Sequence, residues 1–395
     1  MESSTGDRIR SVRKRRGLSQ KELARAAGLS RAWVQQQEQG TAPDPPLETL
    51  ARVAVALKVP TSTLAGSAHP GGPNPHAAED WAEVRDSLYG RGPQPAEQAT
   101  ADGVLGILAA LARPLAANRY AAVGAVLPAL IRDAGTLEDH DAGVRSRVLN
   151  LTAWLLTQTR QWDDAAVAAQ MAMDAARGDR LDEAAAVNTL CWSLLRQGRL
   201  SEARDLATTR ADQIEPRFST ATTRELAMWG RLLLCATNAA VRDNRPGEAA
   251  DTLSLARAAA GRIGREVSVD GSTTRTFGPV TTMMIMAENA AIERQPDRVL
   301  TIAENIPAIA ETLRTGILHP AAASRCRHRL DVANAYAMRG RFPEAVAVLQ
   351  ELLEDVPEWL AQQRYARVIL ENVTKKRRTL TQQIIGLAEA VNLPL

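Results

Sequence analysis

The sequence predicts an all-α protein, in which a five-helix domain precedes a right-handed α-solenoid built from helix pairs. Apolar residues recur at helical spacing along most of the chain, and no credible alternating strand pattern is present. A turn motif recurs through the larger part of the chain, which is typical of stacked helix pairs. We therefore predict domains at residues 7–65 and 79–395, joined by a flexible linker at residues 66–78 that is rich in proline and glycine.

The N-terminal region contains the signals of two short helices joined by a tight turn. Ser19 with Glu22 three residues later makes a capping box, which predicts a helix start. Gly28 permits a sharp turn, and Ser30 is suited to cap the next helix. Such a pair forms a helix-turn-helix unit, whose second helix enters the major groove of DNA. Three further helices are predicted at residues 7–16, at residues 47–57 and after residue 60.

These residues resemble the Cro/repressor-type, or XRE-like, helix-turn-helix family. The matching stretch reads Arg13-x3-Gly17-Leu18-Ser19-Gln20-x2-Leu23-Ala24-x2-Ala27-Gly28-x-Ser30-x3-Val34-x3-Glu38-x-Gly40. The resemblance implies that Glu38 pairs with Arg13 and holds the fold. Gln37 departs from the family, which usually has an apolar residue there, and Trp33 is expected to supply the missing apolar contact.

The resemblance also implies which surface meets DNA. Similar proteins contact DNA from the start of the first motif helix and from the exposed face of the second. Carried over to this chain, the predicted contacts are Gln20, Ser30, Arg31, Ala32, Trp33, Gln35 and Gln36. Arg31 and Gln36 are the expected base readers, because a guanidinium can pair with guanine and an amide with adenine. Trp33 and Gln35 are expected to contact the DNA backbone.

Charge is distributed unevenly along the chain. The net charge is +3, yet residues 1–65 hold eleven Lys and Arg against six Asp and Glu, a net charge of +5. A basic small domain beside a nearly neutral large one fits nucleic-acid binding at one end only. Phosphate contacts are expected from the basic residues of the first helix, Arg8, Arg10, Lys14, Arg15 and Arg16.

The larger region repeats a turn that is followed by an aromatic residue or leucine, an acid and alanine. Residues 198–203 and 340–345 are the clearest copies, residues 160–165 match closely, and weaker copies end at positions 123, 249 and 300. The pattern resembles tetratricopeptide-like repeats with long, divergent copies, which implies stacked helix pairs with a concave face. The longest interval contains residues 267–279, which we predict to be a loop projecting from the stack, either functional or an ordinary disordered insertion.

Asparagines recur in the first helices of these repeats, where their helix propensity is poor. They are Asn150, Asn188, Asn238, Asn289 and Asn334, and Trp154 and Trp192 take the equivalent offset in two repeats. One hypothesis is that the amides line a concave channel and bind the backbone of an extended peptide. The other, equally favoured, is hydrogen bonding between helices. A cationic cluster at Arg325, Arg327, His328 and Arg329 is either a groove wall for an anion or a solvated face.

No sequence motif of an enzyme, a P-loop or a dinucleotide site is present, so neither catalysis nor a cofactor or metal is expected. The three cysteines are widely spaced and lie in apolar helical patterns, which predicts core positions and a reducing compartment. The N-terminus lacks an apolar run, and no segment predicts a membrane span, so we expect a cytoplasmic protein. Arginine far outnumbers lysine, which suggests a GC-rich bacterial genome.

Together these features predict a transcription regulator that binds a double-stranded DNA operator as a homodimer. The layout is similar to that of bacterial regulators that sense short intracellular peptides, so the repeats are expected to dimerise and to sense a peptide or a small molecule. The alternative is a DNA-tethered scaffold whose repeats bind a partner protein.

Overall fold

The computed structural model describes residues 4–65, 81–93, 95, 97–176, 178–312, 319–376 and 380–394. The predicted all-α class is confirmed, because one short hairpin is the only strand structure within these ranges. The predicted linker at residues 66–78 lies outside the described residues. No described helix is both long enough and apolar enough to span a membrane.

The N-terminal domain contains the five predicted helices. They are α1 (Thr5–Arg15), α2 (Gln20–Ala27), α3 (Arg31–Glu38), α4 (Leu47–Leu57) and α5 (Thr61–Ala65). Helix α1 begins earlier than predicted because Ser4 and Asp7 form a capping box. Leu23, Val34 and Leu50 are fully buried in one core, and each contributes about 1.5–3 kcal/mol to folding.

The rest of the chain is an array of helix pairs. The array begins with α6 (Ala82–Leu88), α7 (Ala101–Ala110), α8 (Ala112–Ala116) and α9 (Tyr120–Gly135). The first helices of the following pairs are α10 (Ala142–Gln158), α12 (Arg180–Gln197), α14 (Thr223–Arg242), α16 (Pro279–Ile292) and α18 (Ala322–Met338). The second helices are α11 (Trp162–Ala175), α13 (Leu200–Gln213), α15 (Pro246–Ile263), α17 (Pro296–Thr312) and α19 (Phe342–Asp355). The array ends with α20 (Pro357–Ala361), α21 (Arg364–Thr374) and α22 (Gln382–Ala390).

Each repeat turn contains one residue in the left-handed conformation. These residues are Asn118, Arg160, Gly198, Asn244, Arg294 and Gly340. Five positions later, the second helix buries a small or β-branched residue against its partner: Val123, Ala165, Ala203, Ala249, Val299 and Ala345. The repeat turns predicted from the sequence are therefore confirmed, except that the weakest copy is displaced by one residue, with Val299 in place of Leu300.

The prediction of a projecting loop at residues 267–279 is wrong. The segment forms a hairpin of β1 (Val267–Ser268) and β2 (Thr276–Phe277), in which Val267 lies opposite Phe277. Phe277 is fully buried against Gly230 of α14, where an added Cβ would come within 2.1 Å of the ring. The hairpin also buries an ion pair, in which Arg275 Nε donates to Asp270 Oδ2 over 2.7 Å. The segment is therefore part of the core of the array.

The array curves so that helices near its N-terminal end contact helices near its C-terminal end. Apolar residues of α9 and α10 share one core cluster with residues of α18, α19 and α21. The Asn118 side chain donates to Cys326 Sγ over 3.5 Å, and the Ala121 backbone N–H donates to Glu358 Oε2 over 3.2 Å. This closure places the first helices of the pairs around a common interior.

Candidate functional site

The turn between α2 and α3 is fixed by hydrogen bonds within the motif. Ser19 Oγ accepts from the Glu22 N–H over 3.2 Å, and the Glu22 carboxylate accepts from the Ser19 N–H over 2.8 Å. Gly28 ends α2 with a φ of 62°, which a residue with a Cβ adopts at a cost. Ser30 Oγ then accepts from the Trp33 N–H over 3.0 Å. The predicted caps are confirmed, and they set the direction of α3.

A buried ion pair ties α1 to the end of α3. Arg13 Nε donates to Glu38 Oε1 over 2.6 Å and Arg13 Nη2 to Oε2 over 2.8 Å, as the resemblance implied. Gln20 Nε2 also donates to Glu38 Oε2 over 2.9 Å. Burial alone would raise the pKa of Glu38, but the hydrogen bonds from Arg13 and Gln20 hold the pKa below its usual value. Gln20, one of the predicted DNA contacts, is therefore engaged in holding the fold.

Helix α3 presents a polar face to solvent. Arg31, Ala32, Gln35 and Gln36 are exposed, whereas Trp33 is half-buried and packs against the core. Gln37 is buried, and its amide donates to the Pro43 carbonyl over 2.9 Å. Trp33 therefore supplies the apolar contact that Gln37 cannot make, and an exposed face remains for an external partner.

The N-terminal domain docks on the array through the segment that contains α5. Thr61 Oγ1 donates to the Arg242 carbonyl over 3.0 Å, and the Ser62 N–H donates to Asp243 Oδ1 over 2.8 Å. Asn244 Nδ2 donates to the Val59 carbonyl over 3.1 Å. Asp243 is fully buried and also accepts from Arg204 over 3.0 Å and from Arg245 over 3.1 Å. The turn after α14 is thus the docking point of the domain.

The interior of the array contains a cavity of about 430 Å³. Residues of α10, α12, α14, α16, α18 and α21 line it, together with Thr274 and Arg275 of the hairpin. Pro46, Leu47 and Glu48, at the start of α4, complete the wall. A cavity of this size is in the range of sites for small molecules. One wall therefore belongs to the N-terminal domain, and the others belong to the array.

Arginine dominates the charge of the cavity. Its described lining includes Arg160, Arg196, Arg231, Arg242, Arg275, Arg327 and Arg364, against the acids Glu48, Glu288 and Asp331. Arg242 Nη2 lies 2.6 Å from Glu288 Oε1, and Arg327 lies 3.4 Å from Glu288 and 3.6 Å from Asp331. Burial and the neighbouring Glu288 raise the pKa of Asp331 to about 7, although Arg327 and Arg242 oppose the shift. The cavity thus has a surplus of positive charge.

The five predicted asparagines do not share this cavity. Asn188 lines it, whereas the others lie outside its lining. Asn150 Oδ1 accepts from Thr189 Oγ1 over 2.6 Å, and Asn238 Oδ1 accepts from Arg242 over 2.8 Å. Asn289 is buried, and half-buried Asn334 donates to Met338 Sδ over 3.5 Å. The geometry therefore argues against one continuous asparagine channel.

Sequence reasoning missed most of the cavity wall, although it contained a signal. Trp154 and Trp192 occupy the sixth position before the left-handed turn residue, and both line the cavity. When the repeat register is corrected by one residue, the same offset in α16 is Glu288 instead of Asn289. The cationic cluster divides, because Arg327 and His328 line the cavity whereas Arg329 pairs with Glu351 and Asp355.

The comparison with known families supports the prediction of a helix-turn-helix domain at the N-terminus. Residues 5–65 match the family described as a helix-turn-helix domain. No curated protein sequence matches the chain. Among solved structures, the chain is similar to the crystal structure of Bacillus thuringiensis PlcR in complex with the peptide PapR7 and DNA, with 13% sequence identity and a TM-score of 0.36. That match covers 79% of this chain and 99% of the other. The N-terminal domain of this protein is thus a helix-turn-helix domain, followed by an array of helix pairs.

Proposed function

We propose that this protein is a sequence-specific DNA-binding transcription regulator whose helical array senses an effector in the cavity. The observation that carries the proposal is the dual position of α4. This helix packs against α2 through the core of the helix-turn-helix domain, and its first residues line the cavity. A molecule that fills the cavity therefore meets the element that supports the DNA-binding motif.

The DNA-binding half of the proposal rests on the exposed face of α3. Arg31 lies in its first turn and Gln36 one and a half turns later, and both side chains are exposed while the domain is docked. Residues near the start of the second motif helix are the ones that reach base edges in the major groove. We assign base readout to Arg31 and Gln36, and backbone contacts to Ser30, Trp33 and Gln35.

The sensing half rests on two consecutive residues, Arg242 and Asp243, that connect the cavity with the docking point. Arg242 lines the cavity and pairs with Glu288, while its own carbonyl accepts from Thr61 of the helix-turn-helix domain. The next residue, Asp243, accepts from the Ser62 N–H. A ligand that changes the Arg242–Glu288 pair would change the docked population, provided that it binds the docked and undocked states with different affinity.

We further propose that two chains bind one operator. A single helix-turn-helix unit contacts few base pairs, and dimers of such domains bind half-sites about one helical turn, or 34–36 Å, apart. The operator is then an inverted repeat. The helical array is the proposed dimerisation domain.

The proposal is tested by selecting operators from random duplexes with the full chain and then measuring affinity by fluorescence anisotropy. Arg31→Ala should cost about 1–3 kcal/mol at one base pair and relax the preference there. Arg15→Ala, at the exposed end of α1, should weaken all sequences alike and reduce the salt dependence. Arg217→Ala, on the exposed surface of the array, is the matched control and should change neither.

Retention of affinity and base preference in both Arg31→Ala and Gln36→Ala would overturn the assignment of α3. Native mass spectrometry of the purified chain tests the sensing half. A co-purifying small molecule or peptide supports it, whereas a stoichiometric protein partner favours the scaffold alternative. The same spectra report the oligomeric state.

A further inference from the structure

Three arginines of the cavity have no acidic partner among the described residues, and one of them, Arg364 of α21, is exposed. Arg231 of α14 and Arg196 of α12 line the cavity, and neither makes an ion pair or a side-chain hydrogen bond in the described part of the chain. The other charges are largely matched, because Glu288 pairs with Arg242 and Arg327, and Asp270 pairs with Arg275. Among the unmatched charges, Arg231 and Arg196 lie on α14 and α12, which pack against each other.

Arg231 carries the argument furthest, because it is buried. Arg231 is only 6% exposed, and its Nε is buried without a hydrogen-bond partner. Burial lowers the pKa of its guanidinium to about 10, which reflects the cost of keeping a charge away from water. A buried cation is rare in proteins without an anionic or hydrogen-bonding partner that compensates for the loss of water. An anion in the cavity would supply that partner.

The same wall contains an aromatic surface. The Arg231 guanidinium carbon lies 5.8 Å from the centroid of the Trp192 ring. Arg196 follows Trp192 by four residues on α12, so it lies one turn further along the same helical face. Asn188 precedes Trp192 by four residues, and its buried Oδ1 lacks a partner, as does Trp192 Nε1. Charge, a ring face and unpaired polar atoms therefore meet on one side of the cavity.

We propose that the cavity binds a small organic anion, whose carboxylate or phosphate oxygens accept hydrogen bonds from Arg231 and Arg196 and whose ring packs against Trp192. Guanidinium groups suit both oxyanions, because their N–H donors match carboxylate and phosphate geometry. The unpaired Asn188 carbonyl and the indole N–H give further polar contacts to a ring substituent. The proposal rests on the sensing role proposed above and adds the chemical class of the effector.

The test is isothermal titration of the full chain with a matched series of probes. The acids are phenylacetate, naphthoate and phenyl phosphate, and the neutral controls are the amides of the two carboxylates. Acetate and inorganic phosphate alone test the anion without a ring, and a dipeptide ending in phenylalanine tests a C-terminal carboxylate. We expect ring-bearing anions to bind, and to bind more tightly than their amides. The better of the carboxylate and phosphate probes identifies the anionic group.

Variants then connect the binding to the two arginines. Because a hydrogen bond to a charged group is strong, Arg196→Gln and Arg231→Gln should each weaken the best anion about tenfold or more. Arg196 is exposed, so its variant keeps the fold even if Arg231→Gln does not. Arg231→Lys should retain part of the affinity, and Arg217→Gln should retain all of it.

The proposal is overturned if no ring-bearing anion of the series binds, if the amides bind as tightly as the acids, or if Arg196→Gln keeps full affinity. Operator binding is measured on the same preparations without probe. If the chain binds its operator but none of the anions, the proposed ligand class is wrong. If the chain does not bind an operator, the proposed function itself is wrong.

Discussion

The exposed face of α3 and the interior of the cavity differ in how their polar groups are satisfied. In the helix-turn-helix motif, the side chains of Ser19 and Ser30 cap the helix starts, and the polar side chains on the outer face of α3 are exposed to solvent. In the cavity, buried polar atoms of Asn188, Trp192 and Arg231 have no partner in the described chain. The polar groups of the first region are capped or exposed to solvent, whereas several polar groups of the second are buried without a hydrogen-bond partner.

The two regions also differ in how much chain they need. The α2–α3 motif is contained in residues 19–38, so its caps, turn and buried positions can be read from one short stretch. The cavity wall extends from Pro46 to Val368 and requires that many helices stack in the correct register. Errors in register therefore matter for the cavity and hardly at all for the motif.

The largest expected effect comes from the ion pair that completes the motif. Glu38→Ala leaves the Arg13 guanidinium buried without its partner, which should cost about 3–5 kcal/mol in the free energy of unfolding of the N-terminal domain. Hydrogen exchange of the full chain should show this loss in the amides of α1 to α3 and not in the array.

The double variant Arg13→Ala with Glu38→Ala provides the control. Because it removes both charges, it should be less destabilised than the sum of the two single variants. If the effects are simply additive, the pair is not the element that holds α1 to α3.

The second prediction tests the hairpin that sequence reasoning placed in solvent. Phe277→Ala should destabilise the array by about 3–5 kcal/mol, because the ring is fully buried beside Gly230. The loss should appear in the exchange of α14 and α16 and leave α2 and α3 unchanged. Leu255→Ala, at an exposed site of α15, should have little effect. A small effect of Phe277→Ala would restore the projecting-loop interpretation.

The hairpin shows why the sequence predicted the motif better than the cavity. Residues 267–279 combine serine, threonine, glycine and two charges, a composition typical of solvated loops. Their burial depends on the pairing of Arg275 with Asp270 and on a hydrogen bond from Arg275 to Thr189, which is distant in the chain. The local composition does not reveal that a residue distant in the chain satisfies the buried polar groups of this segment.

The five asparagines do not line one cavity in this structure, and the reason is related. Glycine or asparagine in the left-handed position makes four of the six repeat turns visible, but Arg160 and Arg294 occupy it in the others. At the Arg294 turn, the predicted repeat register was one residue too late. The prediction therefore assigned Asn289 to the position that Glu288 occupies in the structure. Asn150 of α10 is buried, and its side chain accepts a hydrogen bond from Thr189 of α12, as the hypothesis of hydrogen bonding between helices expected.

The third prediction concerns a carboxyl of the cavity and its pH dependence. Because burial raises the pKa of Asp331 in the folded protein to about 7, the folded state holds a proton that the unfolded chain releases near pH 4. Its contribution to stability is therefore greatest below about pH 4, falls as pH rises to about 7 and is lost above that value.

Asp331→Asn should remove this slope, so the variant should gain at least about 1 kcal/mol over the parent at pH 8 relative to pH 4. Arg327 keeps Glu288 at 3.4 Å in the variant, so it is not left unpaired. Denaturant unfolding across this range measures the difference, and Asp355→Asn, at an exposed ion pair, is the control. Parallel pH profiles for the parent and Asp331→Asn would show that Asp331 does not titrate in this range.

The smallest expected effect tests the junction between the two regions. Asn244→Gly removes the hydrogen bond from Nδ2 to the Val59 carbonyl, while glycine keeps the left-handed φ of 55° without strain. Docking should weaken by about 0.5–1.5 kcal/mol. The direct readout is the exchange of the Thr61 and Ser62 amides, which donate to Asp243 only in the docked state. Asn392→Gly, at an exposed left-handed position far along the chain, should leave both amides unchanged. If Asn244→Gly exchanges no faster at these amides, the domain is held by other contacts, and the route from Arg242 through Asp243 cannot couple the cavity to α3.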